Sequence, residues 1–92
     1  MLSAFEGFPG GELVSKGLAD LTAGIESPEA LLVSIGFPKL TMLGLEVPRP
    51  LLDAEHRLYT RLASDGADAA HGRYNALVRQ LVSFERALAC VD

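Results

Sequence analysis

The sequence predicts an all-α fold: four to five helices in a small orthogonal bundle, ending in a C-terminal αα-hairpin whose second arm is one long helix. Three observations carry this. Tyr74, Leu77, Leu81, Phe84, Leu88 and Val91 recur at alternating steps of three and four, the period of one helix face. Ser27-Pro28-Glu29 has the order of a helix start: a capping hydroxyl, a proline at the first helical position and an acid facing the positive end of the dipole. No segment alternates apolar and polar residues at period two, so no sheet is expected.

The elements follow in order. Phe5, Phe8 and Pro9 form an apolar leader, and Gly10-Gly11 a flexible entry to a first helix over about 11–23. Val14, Leu18, Leu21 and Ile25 make its stripe, widened by Leu13. Glu12 and Lys16 stand four apart in the favourable order for a pair. Gly17 costs about 0.5–1 kcal/mol against Ala inside a helix, and close approach of another backbone would account for it. Gly24 is a natural stop. The second helix has the body Ala30-Leu31-Leu32-Val33-Ser34-Ile35. It is apolar on almost every side, which places it in the middle of the fold, and Gly36 ends it.

Phe37-Pro38 reopens a turn, and 39–43 reads as one or two helical turns stopped by Gly44. Leu45 and Val47 are expected to tuck back onto the core. Pro48-Arg49-Pro50 is a rigid corner, because each proline fixes its own φ and restricts its predecessor. Asp53 is expected to cap a helix over 54–64, with Leu58, Tyr59 and Leu62 as its face and Leu51 and Leu52 just before it. Asp65-Gly66 turns the chain, and Asp68 is expected to cap the last helix. So short a connection makes the last two helices antiparallel neighbours.

The 92 residues make a single helical domain over 1–92. Nearly half are hydrophobic and none is Trp, so the core is aliphatic. Net charge is −4, and the imbalance is local: residues 1–48 hold two Lys against six acids, while 49–92 hold six Arg against six acids. Broad electrostatic binding of nucleic acid is disfavoured. The single cysteine, Cys90, excludes an intrachain disulfide. The first six residues lack the basic and apolar regions of a signal peptide. No apolar run approaches the roughly 20 residues that span a bilayer. A soluble, cytoplasmic protein is expected.

Four groups of residues could carry a function. Asp53, Glu55, His56, Asp68 and His71 are potential metal ligands. Antiparallel packing would separate the two histidines, however, and neither a His pair at i, i+4 nor a Glu-x-x-His is present. No metal and no cofactor is expected. His71, Arg73, Tyr74 and Asn75 crowd the first turns of the last helix, where an anion could meet free N–H groups and a guanidinium. The simpler reading there is a solvated turn with the Tyr74 ring in the core. Residues 29–47 resemble a helix-turn-helix in outline, with Leu31, Ile35, Gly36, Phe37, Met42 and Leu45 at its apolar and turn positions. The second helix lacks the Arg, Asn or Gln that read base edges.

The fourth group is a surplus of apolar surface on the last helix. Val78, Val82 and Ala89 lie beside the main stripe, and Glu85 falls inside the same arc. A carboxylate there must be paired, protonated or at an interface edge, and Arg57 or Arg61 is expected to reach it. Exposed contiguous apolar surface marks interfaces. The favoured reading is a non-enzymatic helical protein–protein interaction module, a homo-oligomer or the small subunit of a pair. A two-fold contact of the last helix with its own mate is the simplest form. A DNA-binding regulator using 29–47 and an anion- or ligand-binding domain at 71–75 are the alternatives.

Overall fold

The computed structural model describes residues 7–64 and 66–90. Five helices form: α1 (Gly11–Ala23), α2 (Pro28–Ile35), α3 (Phe37–Met42), α4 (Ala54–Ser64) and α5 (Ala67–Ala89). No strand occurs among the described residues. Phe5, Asp65 and Val91 lie outside them.

The centre of the fold is α2, which contacts all four other helices. Ala30, Leu31, Leu32 and Val33 are fully buried, as an eight-residue helix with no polar side requires. Ser27 caps it: its hydroxyl accepts from the Ala30 N–H at 3.0 Å and donates to Asp20 Oδ2 at 2.6 Å. Ser34, the one polar residue in the buried run, is satisfied twice. Its hydroxyl donates to the Ala30 carbonyl at 2.8 Å and accepts from the Leu51 N–H at 2.9 Å. The second bond pins the chain just past the Pro48-Arg49-Pro50 corner.

Gly17 on α1 has a close approach to answer for it. A Cβ there would collide with the Glu29 carbonyl oxygen and with Val33 Cγ2, and would stand 2.9 Å from the Glu29 carbonyl carbon. α1 therefore lies almost backbone to backbone on α2. Gly10 does the same for α5. Its φ is 72°, and a Cβ would meet the Gln80 carbonyl oxygen at 2.6 Å. Val14 and Leu21 complete the buried side of α1, with Leu13 and Leu18 packed against the core. Ile25 does not join them and is exposed. The chain has already turned at Gly24, φ 77°, where the Ile25 N–H returns to the Asp20 carbonyl at 2.7 Å in a Schellman closure.

Polar contacts on α1 also differ from expectation. Lys16 pairs forward with Asp20, at 2.7 Å, and approaches Glu29 at 3.9 Å, rather than pairing with Glu12. Asp20 so joins the Lys16 ammonium and the Ser27 hydroxyl. These two hydrogen bonds, Lys16 first, hold its carboxyl below the ordinary carboxylate range.

α3 starts at Phe37, two residues before the expected turn. Gly36 has helical dihedrals and its carbonyl accepts from the Leu40 N–H at 2.8 Å, so Pro38 falls in the first turn, where its missing N–H is harmless. Leu40 is buried, and Val47 and Leu45 fold back onto the core.

α4 buries the ridge Ala54, Leu58 and Leu62. Tyr59 lies a quarter-turn off that ridge and is exposed, not part of the face. Leu51 packs against the core, whereas Leu52 stands 82% exposed. Asp53 occupies the position before α4, and its carbonyl accepts from the Arg57 N–H at 3.1 Å. Its φ of 55° is left-handed, unlike the extended backbone of a side-chain cap. Asp68 is not a cap at all: α5 begins at Ala67 behind Gly66, so Asp68 sits within the first turn, where the dipole still favours its charge.

The 23 residues of α5 extend about 35 Å, against a longest dimension of 40 Å for the molecule. Ala70, Leu81 and Phe84 are buried, with Tyr74, Leu77, Val78 and Leu88 partly so. Phe8 of the leader rests on Phe84, ring centroids 5.8 Å apart. α5 pairs with α4 across the short connection, where the Tyr59 and Tyr74 rings meet at 5.7 Å.

Gly17 and Asp20 of α1 each set a stability effect, with Gly72 of α5 as the open-space comparison for the first. Gly17→Ala should cost about 1–3 kcal/mol through overpacking. Gly72→Ala, where a Cβ meets nothing within 4 Å, should gain about 0.5–1 kcal/mol. Urea unfolding of both variants measures the contrast, and equal effects would contradict the close crossing. Asp20, depressed when folded, contributes stability above the unfolded carboxylate pKa and loses it as pH falls through the lower folded value. The deficit of Asp20→Asn against wild type is therefore expected to shrink steadily in urea midpoints measured from neutral pH into acid.

Candidate functional site

The structure separates the four groups of candidate residues. At the start of α5, His71 and Arg73 are exposed, while Tyr74 and Asn75 are half-buried. Asn75 Nδ2 lies 3.1 Å from His71 Nε2, so two of the four are joined on one side of the helix as their spacing requires. Tyr74 turns toward Tyr59. Burial, with the Glu55 charge adding to it, pushes its hydroxyl above the ordinary phenol value. The hollows at Arg61, at Leu52 and at Val82 have none of His71, Arg73, Tyr74 or Asn75 in their walls.

His56 and His71 are both exposed. Among the described residues, no group of three or more His, Cys, Asp or Glu side chains could hold a metal ion. No helix of the described residues is long and apolar enough to cross a membrane.

The segment 29–47 forms two helices joined by Gly36 alone, shorter than the three- or four-residue turn of a helix-turn-helix. The second of them, α3, has six residues. Lys39 and Thr41 are exposed on it, together with Phe37 and Met42, so its outer side is as apolar as it is polar.

The fourth group is brought together. Val82, Glu85 and Ala89 of α5 line one hollow of about 270 Å³ with Arg86 and, from α3, Lys39. Val82 is 36% exposed, Ala89 is exposed and Glu85 half-buried. Val78 packs partly against the core and lies outside this hollow. Leu81, one residue before Val82, is buried, so the hollow sits where the side of α5 leaves the core.

Glu85 is the electrostatic centre of the hollow. Desolvation pushes its carboxyl above the ordinary value, and the nearby Lys39 charge opposes this only in part. The cation facing it is thus Lys39, not Arg57 or Arg61. Arg57 is held by Glu26 at 3.1 Å, and Arg61 borders a separate hollow with Pro28, Leu62 and Ser64. Lys39 of α3 lines this hollow, whereas no residue of α4 does. Gly36 makes the approach tight: a Cβ there would lie 3.0 Å from Leu81 Cδ1 and 3.3 Å from Glu85 Oε2.

A further hollow, of about 260 Å³, lies on the other side of the α3 start. Ile35, Phe37, Pro38, Leu51, Leu52 and Ala54 give it apolar walls, and Asp53 and Glu55 an acidic edge. Sequence reasoning placed Leu51 and Leu52 just before the helix and did not foresee this surface. The available signal was Leu-Leu directly after a rigid Pro-Arg-Pro corner, where at most one of two adjacent side chains can point inward.

No family model matches the chain, and no curated protein or solved structure matches it. The residues themselves carry the functional reading.

Glu85 supplies a pH prediction with a definite sign. Its folded pKa is raised, so the ionised form is disfavoured by folding, and the penalty is present above the folded pKa and relieved as pH falls through it. In dilute solution Glu85→Gln should raise the thermal midpoint at neutral pH. That gain should vanish when the same melts are run in acid. A gain that persists unchanged in acid would mean the carboxylate is not desolvated.

Proposed function

We propose that this chain is a non-enzymatic protein–protein interaction module that self-associates through the outer side of α5. The observation that carries the reading is the hollow at Val82 and Ala89, where apolar side chains remain open to solvent around a half-buried carboxylate. Apolar surface left open beside charged residues is the ordinary composition of an interface: a small greasy centre with a polar rim. Lys39 and Arg86 supply that rim.

Two further features support it. Met42, 70% exposed, lies three residues on from Lys39 and so shares its side of α3, extending the apolar area past the edge of α5. A chain of this length also buries only roughly 60–65% of its unfolded surface by itself, so association adds stability that a monomer lacks. The reading asks no side chain to act as acid, base or nucleophile.

Light scattering over a dilution series tests it. Wild type is expected to show a mass above the 9.8 kDa of one chain at high concentration, returning to one chain on dilution. Val82→Asp, which sets a charge into the apolar centre, should hold the protein at one chain throughout while leaving its helical circular dichroism unchanged. A wild type that stays at one chain up to millimolar concentration would overturn the reading.

A further inference from the structure

We infer that the hollow at Phe37 and Leu52 docks a basic amphipathic segment of another protein, with a bulky apolar side chain in the hollow and Lys or Arg beside it. The surface is separate from the flank of α5 and goes beyond the self-association proposed above. Its apolar part is held open by the chain itself. The Leu51 N–H is fixed to Ser34 Oγ at 2.9 Å. Leu51 then packs on the core, and Leu52 is left 82% exposed. Phe37, in the same walls, is exposed as well. Left-handed residues with side chains stand on both sides of the leucine pair: Arg49 with φ 45° and Asp53 with φ 55°. Such backbone is costly for a residue with a Cβ, and strain kept at a surface turn is a feature of ligand clamps. A rim fixed in advance loses little further freedom when a partner arrives.

Volume and charge identify the occupant. About 260 Å³ is below the roughly 300–1,000 Å³ of sites that enclose a small molecule, and suits a single bulky side chain. Asp53 and Glu55 form the edge, and among the described residues no lysine, arginine or histidine lines the hollow. Neither carboxylate has an ion-pair partner among the described residues. The start of α4 lies beside them, but a helix dipole offers only about half a positive charge against two carboxylates. Arg57, on the next turn, is engaged by Glu26 at 3.1 Å. Lys39 lines the hollow at Glu85 instead.

The edge therefore lacks a cation that a partner can bring. Opposite charge at the rim of an apolar centre decides which partner docks. Nucleic acid and anionic membranes are repelled by the same edge. A second copy presenting this hollow supplies more carboxylate and no cation, whatever its direction of approach.

A nitrogen–proton NMR titration tests this. The probe is an amidated peptide of leucine and lysine at amphipathic helical spacing, and the control is the same peptide with glutamate for lysine. The lysine peptide should shift the amides of 34–37 and 51–55 together and saturate, and the glutamate peptide should not. Leu52→Ser, at an exposed position, should raise the dissociation constant of the lysine peptide about tenfold. Asp53→Asn/Glu55→Gln should raise it about threefold or more at low salt, and by less as salt is added. Asparagine tolerates the left-handed backbone that Asp53 adopts. Glu12→Gln/Asp68→Asn removes the same charge outside the walls of the hollow and should change binding by less than about twofold, which separates the local edge from the net charge of −4. Equal binding of the glutamate peptide, shifts that avoid 51–55, or indifference to Leu52→Ser overturns the inference. Self-association lost in Leu52→Ser but kept in Val82→Asp would seat a second copy in this hollow and overturn it as well.

Discussion

The burial of the body of α2 is the constraint on which the rest of the molecule depends. Ala30 to Val33 are fully buried and Ser34 nearly so, and this apolar run needs cover on every side. A short helix cannot be covered by one neighbour, so α1, α3, α4 and α5 are each recruited against it. The approach of α1 is the closest, because Gly17 removes the side chain that would hold the backbones apart. Ser27 and Ser34 then convert burial into definite geometry. The first ties the start of α2 to Asp20 of α1, and the second ties its end to the backbone of Leu51. Unmade, each of these buried hydroxyl bonds would leave a desolvation penalty of about 1–3 kcal/mol, so the strap at Leu51 and the junction at Asp20 are fixed, not incidental.

That hub explains why α5 keeps an open side. A helix wrapped by the rest of the fold would bury its full apolar arc. α5 instead shares the covering of α2 with three others, and only Ala70, Leu81 and Phe84 are fully enclosed. α3 is too short to extend over the last turns, and its Lys39 stops at the edge of the hollow. Val82, Glu85 and Ala89 are left at the margin between core and solvent by the lengths of the neighbouring helices.

Much of this was legible in the chain. α1, α2 and α4 begin and end where their glycines, prolines and capping hydroxyl place them, because these residues act through local backbone geometry. The close approach at Gly17 was readable as an otherwise unexplained glycine inside a helix. Less legible was anything decided by third parties. Periodicity marks α5 as the most regular segment, and the apolar body of α2 places that shorter helix in the middle of the fold, where it lies. A long amphipathic stripe shows that one side is covered, while a short helix without a polar side shows that every side is. Lys16 had acids at both i−4 and i+4, and Ser27 decided between them by orienting Asp20. Glu85 falls inside the apolar arc of the sequence and is half-buried in the structure. Its cation was misassigned to α4, because nothing in the spacing of Lys39 tells which side of α5 a six-residue helix will occupy. The second hollow at Phe37 and Leu52 was hidden for the same reason.

Glu85 also shows why a half-covered carboxylate is informative about association. In the single chain it has lost part of its hydration, and one lysine compensates only in part, so its ionised form is held at a disadvantage. A fully exposed glutamate would have no such deficit, and a partner cation would add little, as surface pairs do. A fully buried one would require pairing inside the chain simply to fold. Glu85 lies between these limits. It is tolerable alone and would be better matched by a second cation on its remaining open side. The apolar residues around it work in the same direction, since Val82 and Ala89 exclude water from the pair only when something covers them. Whatever covers Val82 and Ala89 therefore also dries Glu85, because the three line one hollow.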